Sequence, residues 1–175
     1  MNNTNELEGA EYCREVSCFF VPGQGTLSVT TNNYACSVEF DFFDIWEKLK
    51  KMEYDHVCMI HSHPPGCNVM SSTDSNMVYG WCQAIGKPIL FIIAIPEGYT
   101  AYWCTRDKEN KSKVNRCIVQ LDCVDKFDEL ISTVYYLSML NDHLSEEKTK
   151  QIVEIFNQVF NKANFIVRNE VEVEK

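Results

Sequence analysis

The apolar positions follow two alternating spacings along the first two thirds of the chain. Short runs rich in β-branched and aromatic residues predict strands, and apolar stripes three or four residues apart predict amphipathic helices. A Pro-Gly turn at Pro22 and Gly23 joins the first two strands into a hairpin, and Asp41 is positioned to cap the first helix. The predicted strands cover residues 16–21, 26–31, 56–60, 89–95 and 99–104, and the predicted helices cover 42–51 and 74–86.

The last third of the chain has mainly helical spacing. Residues 106–113 are charged and are interpreted as a linker or exposed loop. One predicted helix carries the stripe Phe127, Leu130, Ile131, Val134 and Tyr135. Ser145 is positioned to cap a second, with the stripe Ile152, Phe156, Val159, Phe160 and Ala163. We therefore predict an α/β core over residues 1–110 and a C-terminal helical hairpin over 111–175 that packs on the core, with a mobile acidic tail from Asn169.

Composition narrows the class of protein without identifying it. Apolar residues make up 45% of the 175 residues and charged residues 23%, which is typical of a folded globular chain. The net charge of −9 disfavours nucleic acid and favours a neutral or basic protein partner. The nine cysteines include no C-x-x-C pair and no signal peptide precedes them, so reduced thiols and a cytoplasmic location are expected, with no membrane association.

Three of the four histidines lie within residues 56–63, and two of them begin the pattern H-x-H-x7-S-x-x-D. His61 and His63 are at positions i and i+2, so an extended strand would direct both imidazoles to one face, where they could share a metal ion. The Pro64-Pro65-Gly66 run should end the strand and turn the chain, so that Asp74 can supply a third ligand. Two histidines, a carboxylate and an open fourth position are typical of catalytic zinc.

This stretch resembles the JAMM motif of the JAB/MPN+ metalloprotease family, H-[ST]-H-P-x6-S-x-x-D. The matching residues are His61-Ser62-His63-Pro64, Ser71 and Asp74. The resemblance implies a mixed, curved β-sheet flanked by helices and one Zn²⁺ held by the two histidines and the aspartate. It also implies that Ser71 hydrogen-bonds near the metal and helps to stabilise the oxyanion. The family cleaves isopeptide or peptide bonds, often at the C-terminus of ubiquitin or ubiquitin-like proteins, and other members act on small conjugates.

The resemblance also implies a glutamate on an earlier strand as general acid and base. Glu15, directly before the first predicted strand, is the preferred candidate, although Cys18 stands where the family often has glycine. Glu11 and Glu39 remain alternatives. His56 is expected to be structural.

The sequence therefore predicts a zinc-dependent metalloprotease or isopeptidase, in the manner of a deubiquitinase, acting on a protein substrate. Three alternatives stay open at this point. They are a metal-free interaction module like the MPN− relatives, a DNA-associated protein like the RadC branch, and a hydrolase of small conjugates. Oligomeric state is not specified by the sequence.

Overall fold

A computed structural model describes residues 15–31, 41–96, 98–109, 111–121, 124–138, 146–160 and 165–169. Within these ranges the chain forms strands β1 to β7 and helices α1 to α4. The strands are β1 Val16–Val21, β2 Gly25–Thr31, β3 Val57–Ser62, β4 Ile89–Ile95, β5 Gly98–Arg106, β6 Ser112–Leu121 and β7 Phe165–Asn169. The helices are α1 Phe42–Leu49, α2 Ser72–Ile85, α3 Val124–Ser138 and α4 Glu146–Phe160.

The described strands form one mixed sheet in the order β2-β1-β3-β4-β5-β6-β7. Only β3 and β4 run parallel in this sheet, and the other neighbours are antiparallel. The central strand β4 is buried along its whole length, as its continuous apolar sequence predicts. The α/β class is therefore confirmed.

Helices pack on both faces of the sheet. On one face, α1 and α2 bury Ile45, Leu49 and Val78 against the odd-numbered residues of β3 and β4. On the other face, α3 buries Leu130, Ile131 and Val134 against the even-numbered residues of the same strands. Helix α4 contacts β2 at the sheet edge, where the Asn157 side-chain oxygen accepts a hydrogen bond of 2.6 Å from the backbone N–H of Thr26.

The segment after residue 110 differs from its predicted helical character. The helices α3 and α4 are present, but the segment also supplies β6 and β7, which extend the same sheet. Residues 106–113, interpreted as a linker, instead span the end of β5, a short turn and the start of β6. The predicted cap Ser145, the stripe residue Ala163 and the tail beyond Asn169 lie outside the described residues.

None of the helices described in this structure is both long and apolar enough to cross a lipid bilayer.

Candidate metal centre

Four ionisable side chains from separate parts of the sequence converge at one end of the sheet. Glu15 directly precedes β1, His61 lies in β3, His63 directly follows β3, and Asp74 lies in the first turn of α2. Their exposed fractions are 8%, 4%, 7% and 5%, respectively. Burial of four such groups together is costly unless they are paired or bind a metal, so the cluster requires an explanation.

Strand β3 positions the two histidines as their i and i+2 spacing predicts. The His61 and His63 rings have centroids 4.7 Å apart at an interplanar angle of 77°. The backbone N–H of His63 donates to the Ala94 carbonyl at 2.9 Å, which extends the pairing with β4 one residue past the end of β3. The chain then turns at Gly66, which adopts a φ of 80° that favours glycine.

The start of α2 positions Asp74. Ser71 is the N-cap residue, and its hydroxyl accepts a hydrogen bond of 3.1 Å from the Asp74 N–H. In return, Asp74 Oδ2 accepts one of 2.8 Å from the Ser71 N–H, which completes a capping box. The helix therefore begins at Ser72, two residues before the predicted start.

Asp74 is held as an anion by these contacts. Burial alone would raise the pKa of Asp74, but hydrogen bonds with His63 and Ser71 outweigh it and lower the pKa from 3.8 to about 2. Its two oxygens approach different rings, with Oδ2 at 3.3 Å from His63 Nε2 and Oδ1 at 3.6 Å from His61 Nδ1.

His63 is oriented by a backbone carbonyl. Its Nδ1 lies 2.8 Å from the carbonyl oxygen of Cys67, which can only accept a hydrogen bond. Nδ1 therefore carries the proton in the neutral ring, and Nε2 is the nitrogen left to bind a metal. Burial favours neutral His63, but Asp74 and the Cys67 carbonyl outweigh it and raise the pKa of His63 in the metal-free protein.

His61 lies between the two carboxylates. Its Nε2 is 3.3 Å from Glu15 Oε2, while its Nδ1 faces Asp74. Both ring nitrogens are buried and neither has a hydrogen-bond partner among the described residues. Phe91 of β4 contacts the ring edge-on, with centroids 5.8 Å apart, and contributes an apolar wall.

Glu15 reaches the cluster because β1 pairs with β3. Ser17 is the register partner of His61, so Glu15 lies just beyond the end of this ladder. Ser62, between the two histidines, continues the connection through its side chain, since its buried hydroxyl accepts a hydrogen bond of 2.9 Å from the Val16 N–H. The sequence alone does not predict this role for Ser62, because the role depends on the pairing of β1 with β3, which lie far apart in the sequence.

The donor set fits a metal ion. Glu15, His61 and His63 each offer one ligand atom, and these atoms lie within 4.8 Å of one another. Asp74 contacts both histidines as well. Buried His61 nitrogens with no hydrogen bond to the described residues are unusual in a folded protein, and a bound cation would satisfy one of them while the other, protonated nitrogen faces a carboxylate. The imidazole and carboxylate donors suit Zn²⁺ or a similar divalent transition metal.

The remaining sequence candidates lie elsewhere or are not described. Glu11 and Glu39 lie outside the described residues. Ser71 is exposed and contacts Asp74 as the helix cap. His56 lies at the opposite end of β3, where its ring meets Trp103 edge-on at 5.3 Å and burial lowers its pKa.

Neither the scan against protein-family models nor the search of curated proteins finds a match to this chain.

Proposed function

We propose that the protein is a zinc-dependent hydrolase of amide bonds, cleaving an isopeptide or peptide bond in a protein substrate. The observation that supports it most strongly is the buried convergence of Glu15, His61, His63 and Asp74, in which neither ring nitrogen of His61 forms a hydrogen bond with any described residue. The motif resemblance favours the same chemistry and adds ubiquitin-like proteins as a substrate class.

In this proposal His61, His63 and Asp74 hold the zinc ion. Asp74 is assigned as the carboxylate ligand because its two oxygens lie 3.3 Å and 3.6 Å from the two rings. The Glu15 carboxylate also lies within 4.8 Å of both histidines, but its 3.3 Å contact is with His61. The lowered pKa of Asp74 also suits a permanent anion. A Zn²⁺ ion held there would act as a Lewis acid and lower the pKa of a bound water from 15.7 to about 7.

Glu15 is assigned as general base and acid. It is buried at the edge of the cluster and contacts His61 through one oxygen, so its carboxylate can accept a proton from the attacking water. The same carboxyl then donates that proton to the leaving amine. The Val16–Ser62 hydrogen bond anchors the backbone directly after Glu15 beside β3.

Ser71 is assigned a supporting role at the oxyanion. Its hydroxyl oxygen accepts from the Asp74 N–H, and its hydrogen remains to be donated. A hydrogen bond to the developing oxyanion would contribute to transition-state stabilisation. Anchoring Asp74 is the second contribution of this residue.

The test is hydrolysis of isopeptide-linked and C-terminally extended ubiquitin-like substrates by the zinc-loaded full chain. We expect cleavage by the parent, and loss of at least about a hundredfold in kcat for Glu15→Gln, with zinc retained. Asp44→Asn is the matched control, because Asp44 is an exposed carboxylate on α1 that pairs with Lys48 and not with the metal-centre residues described here. This variant should cleave normally. Full activity in Glu15→Gln would overturn the assignment of the base, and no hydrolysis of any amide substrate by zinc-loaded parent would overturn the function.

A further inference from the structure

The sheet face that carries His61 is buried near the metal centre and becomes exposed farther along the same row of strands, from Ile118 onward. The row of side chains that starts at His61 continues through its register partner Ile93 in β4 and then Thr100 in β5. One residue beyond the Ala101–Cys117 pair, Thr100 neighbours Ile118 of β6, and the register partner of Ile118 in β7 is Arg168. Adjacent strands are about 4.8 Å apart, so the row extends roughly 19 Å from the metal centre to the last strand.

The outer part of this face is exposed and partly apolar. Ile118 and Ile166 are 46% and 44% exposed, and Arg168 is exposed beside them. The alternate residues of the same strands point the other way, into the core beneath α3: Cys117, Val119, Phe165 and Val167. We call the surface formed by Arg116, Ile118, Ile166 and Arg168 the β6–β7 face.

The charge of this face is opposite to that of the protein. The chain carries a net charge of −9, yet the charged residues on this side of β5, β6 and β7 are Arg106, Arg116 and Arg168. These are three of the four arginines in the sequence. No aspartate or glutamate occurs at the positions of these strands that share the face. A basic, apolar surface on an acidic protein is complementary to an acidic segment that also carries apolar side chains.

We propose that the β6–β7 face binds an extended, acidic and apolar polypeptide segment of the substrate, several residues away from the scissile bond. This inference rests on the proposed function, because it takes the metal centre as the site of cleavage. Apolar side chains of the segment pack on Ile118 and Ile166, and its carboxylates pair with Arg168. A distance of about 19 Å corresponds to roughly six residues of extended chain, so recognition reaches well beyond the bond that is cleaved.

Polypeptide fits this face better than nucleic acid. Single-stranded nucleic acid is bound by stacking of bases on exposed aromatic rings. The exposed apolar residues of the β6–β7 face are isoleucines, and the nearest aromatic side chain on this side, Tyr102, is half-buried and accepts a hydrogen bond from the Met70 N–H. The acidic chain as a whole also repels phosphate.

The test measures binding separately from cleavage. The probe is a fluorescein-labelled peptide of alternating glutamate and leucine, about eight residues long. Its binding to the zinc-loaded full chain is followed by fluorescence anisotropy at two salt concentrations. Comparison probes replace the glutamates with lysine, replace the leucines with serine, or substitute an oligothymidylate of similar length.

We expect the glutamate–leucine peptide to bind and the lysine and serine versions to bind much more weakly. Arg168→Glu should weaken binding by about tenfold or more, and Ile118→Ser by about threefold or more. Lys113→Glu is the matched control, since Lys113 is exposed on β6 but at the register that faces the opposite side, and its affinity should stay within about twofold of the parent.

Equal affinity of the parent and Arg168→Glu for the peptide would overturn the proposal, as would tighter, Arg168-dependent binding of the oligothymidylate. The two proposals fail separately. Arg168-dependent binding without any hydrolysis would refute the chemistry and retain the docking face. Hydrolysis of a protein substrate with a KM unaffected by Arg168→Glu would refute the docking face and retain the chemistry.

Discussion

Hydrogen bonds from neighbouring groups orient His63 and Asp74 and support the strand next to Glu15. The Cys67 carbonyl fixes the His63 ring, the Ser71 N–H and hydroxyl fix Asp74, and the Ser62 hydroxyl fixes the strand that carries Glu15. Such supporting contacts set the geometry of metal and catalytic groups as much as the groups themselves do. The positions of His61, His63 and Asp74 could be predicted because they lie within one short segment. The contribution of Ser62 could not, because it depends on which strand lies beside it.

The first prediction concerns Ser62. Ser62→Ala removes the acceptor for the Val16 N–H, and Val16 is fully buried, so the unpaired donor should lower the free energy of unfolding by about 1 to 3 kcal/mol. Ser62→Thr retains a hydroxyl that can accept this hydrogen bond, so it should keep most of the free energy of unfolding that Ser62→Ala loses. Urea unfolding measures the loss, and amide hydrogen exchange at Val16 locates it.

Ser17→Ala is the control for Ser62→Ala, because Ser17 is equally buried on the paired strand but only donates a long hydrogen bond of 3.4 Å to the Ile60 carbonyl. A smaller loss is expected there. If Ser62→Ala is as stable as the parent and Val16 stays protected from exchange, the role assigned to Ser62 is wrong.

The second prediction concerns pH and the metal-free protein. The pKa of Asp74 is lower in the folded state, so the folded protein binds fewer protons there and Asp74 contributes stability at pH values above its unfolded pKa. This contribution, about 2 kcal/mol for a pKa that falls from 3.8 to about 2, is lost as the pH drops from about 4 to about 2. Asp74→Asn in the presence of a chelator should be less stable than the parent at pH 5 and equally stable near pH 2.

His63 should produce the opposite trend. Its folded pKa is raised, so its contribution is present below the unfolded pKa of about 6.5 and is lost as the pH rises through the folded value. If Asp74→Asn leaves the stability of the metal-free protein unchanged across the acid range, this description of Asp74 and His63 is wrong.

At the scale of elements, the described parts of the first two thirds of the chain were predicted well and the last third only in part. The hairpin β1–β2, helix α1 with its Asp41 cap, the buried β4 and its return strand β5 are all confirmed. These elements carry strong apolar patterns or clear turn residues. Strand β6 was missed because one of its faces is exposed and carries Arg116 and Ile118, which dilutes the apolar signal. Strand β7 has five residues and alternates between core and solvent, which is too short for a confident pattern.

The third prediction separates the two roles of a helix cap. Ser71→Ala removes the N-cap of α2 and one anchor of Asp74, so it should lower the free energy of unfolding by about 1 kcal/mol and weaken zinc affinity by about tenfold. Competition with a chromophoric chelator measures the affinity, and urea unfolding of the metal-free protein measures the stability.

Asp41→Ala is the matched control, because Asp41 caps α1 by accepting from the Asp44 N–H at 3.0 Å and contacts none of the four metal-centre residues in the described structure. Asp41→Ala should lower the free energy of unfolding about as much as Ser71→Ala does, and it should leave the zinc affinity unchanged. Equal zinc affinity in Ser71→Ala and Asp41→Ala would contradict the link between the cap and the metal.

At the scale of the whole molecule, one sheet connects the metal centre to the segment after residue 110. Strands β3 and β4 lie at its middle, with His61 and His63 at the end of β3, while β6 and β7 extend the same sheet outward. The sequence predicted helices that pack on a finished core; the described chain instead completes the sheet with strands from both segments. Long-range pairing of this kind depends on the register of strands far apart in sequence, which local apolar patterns do not encode. The β6–β7 face, which lies along the row of strands that starts at His61, is a consequence of that pairing.

The most direct test is the metal content of the purified full chain beside Asp74→Ala and Glu15→Gln, after reconstitution with zinc and removal of the unbound ion. We predict about one zinc per chain in the parent and in Glu15→Gln, and little in Asp74→Ala. Zinc retained in Asp74→Ala but lost in Glu15→Gln would exchange the roles of the two carboxylates. A parent protein that binds no zinc would contradict the proposed metal centre and, with it, the proposed hydrolase function.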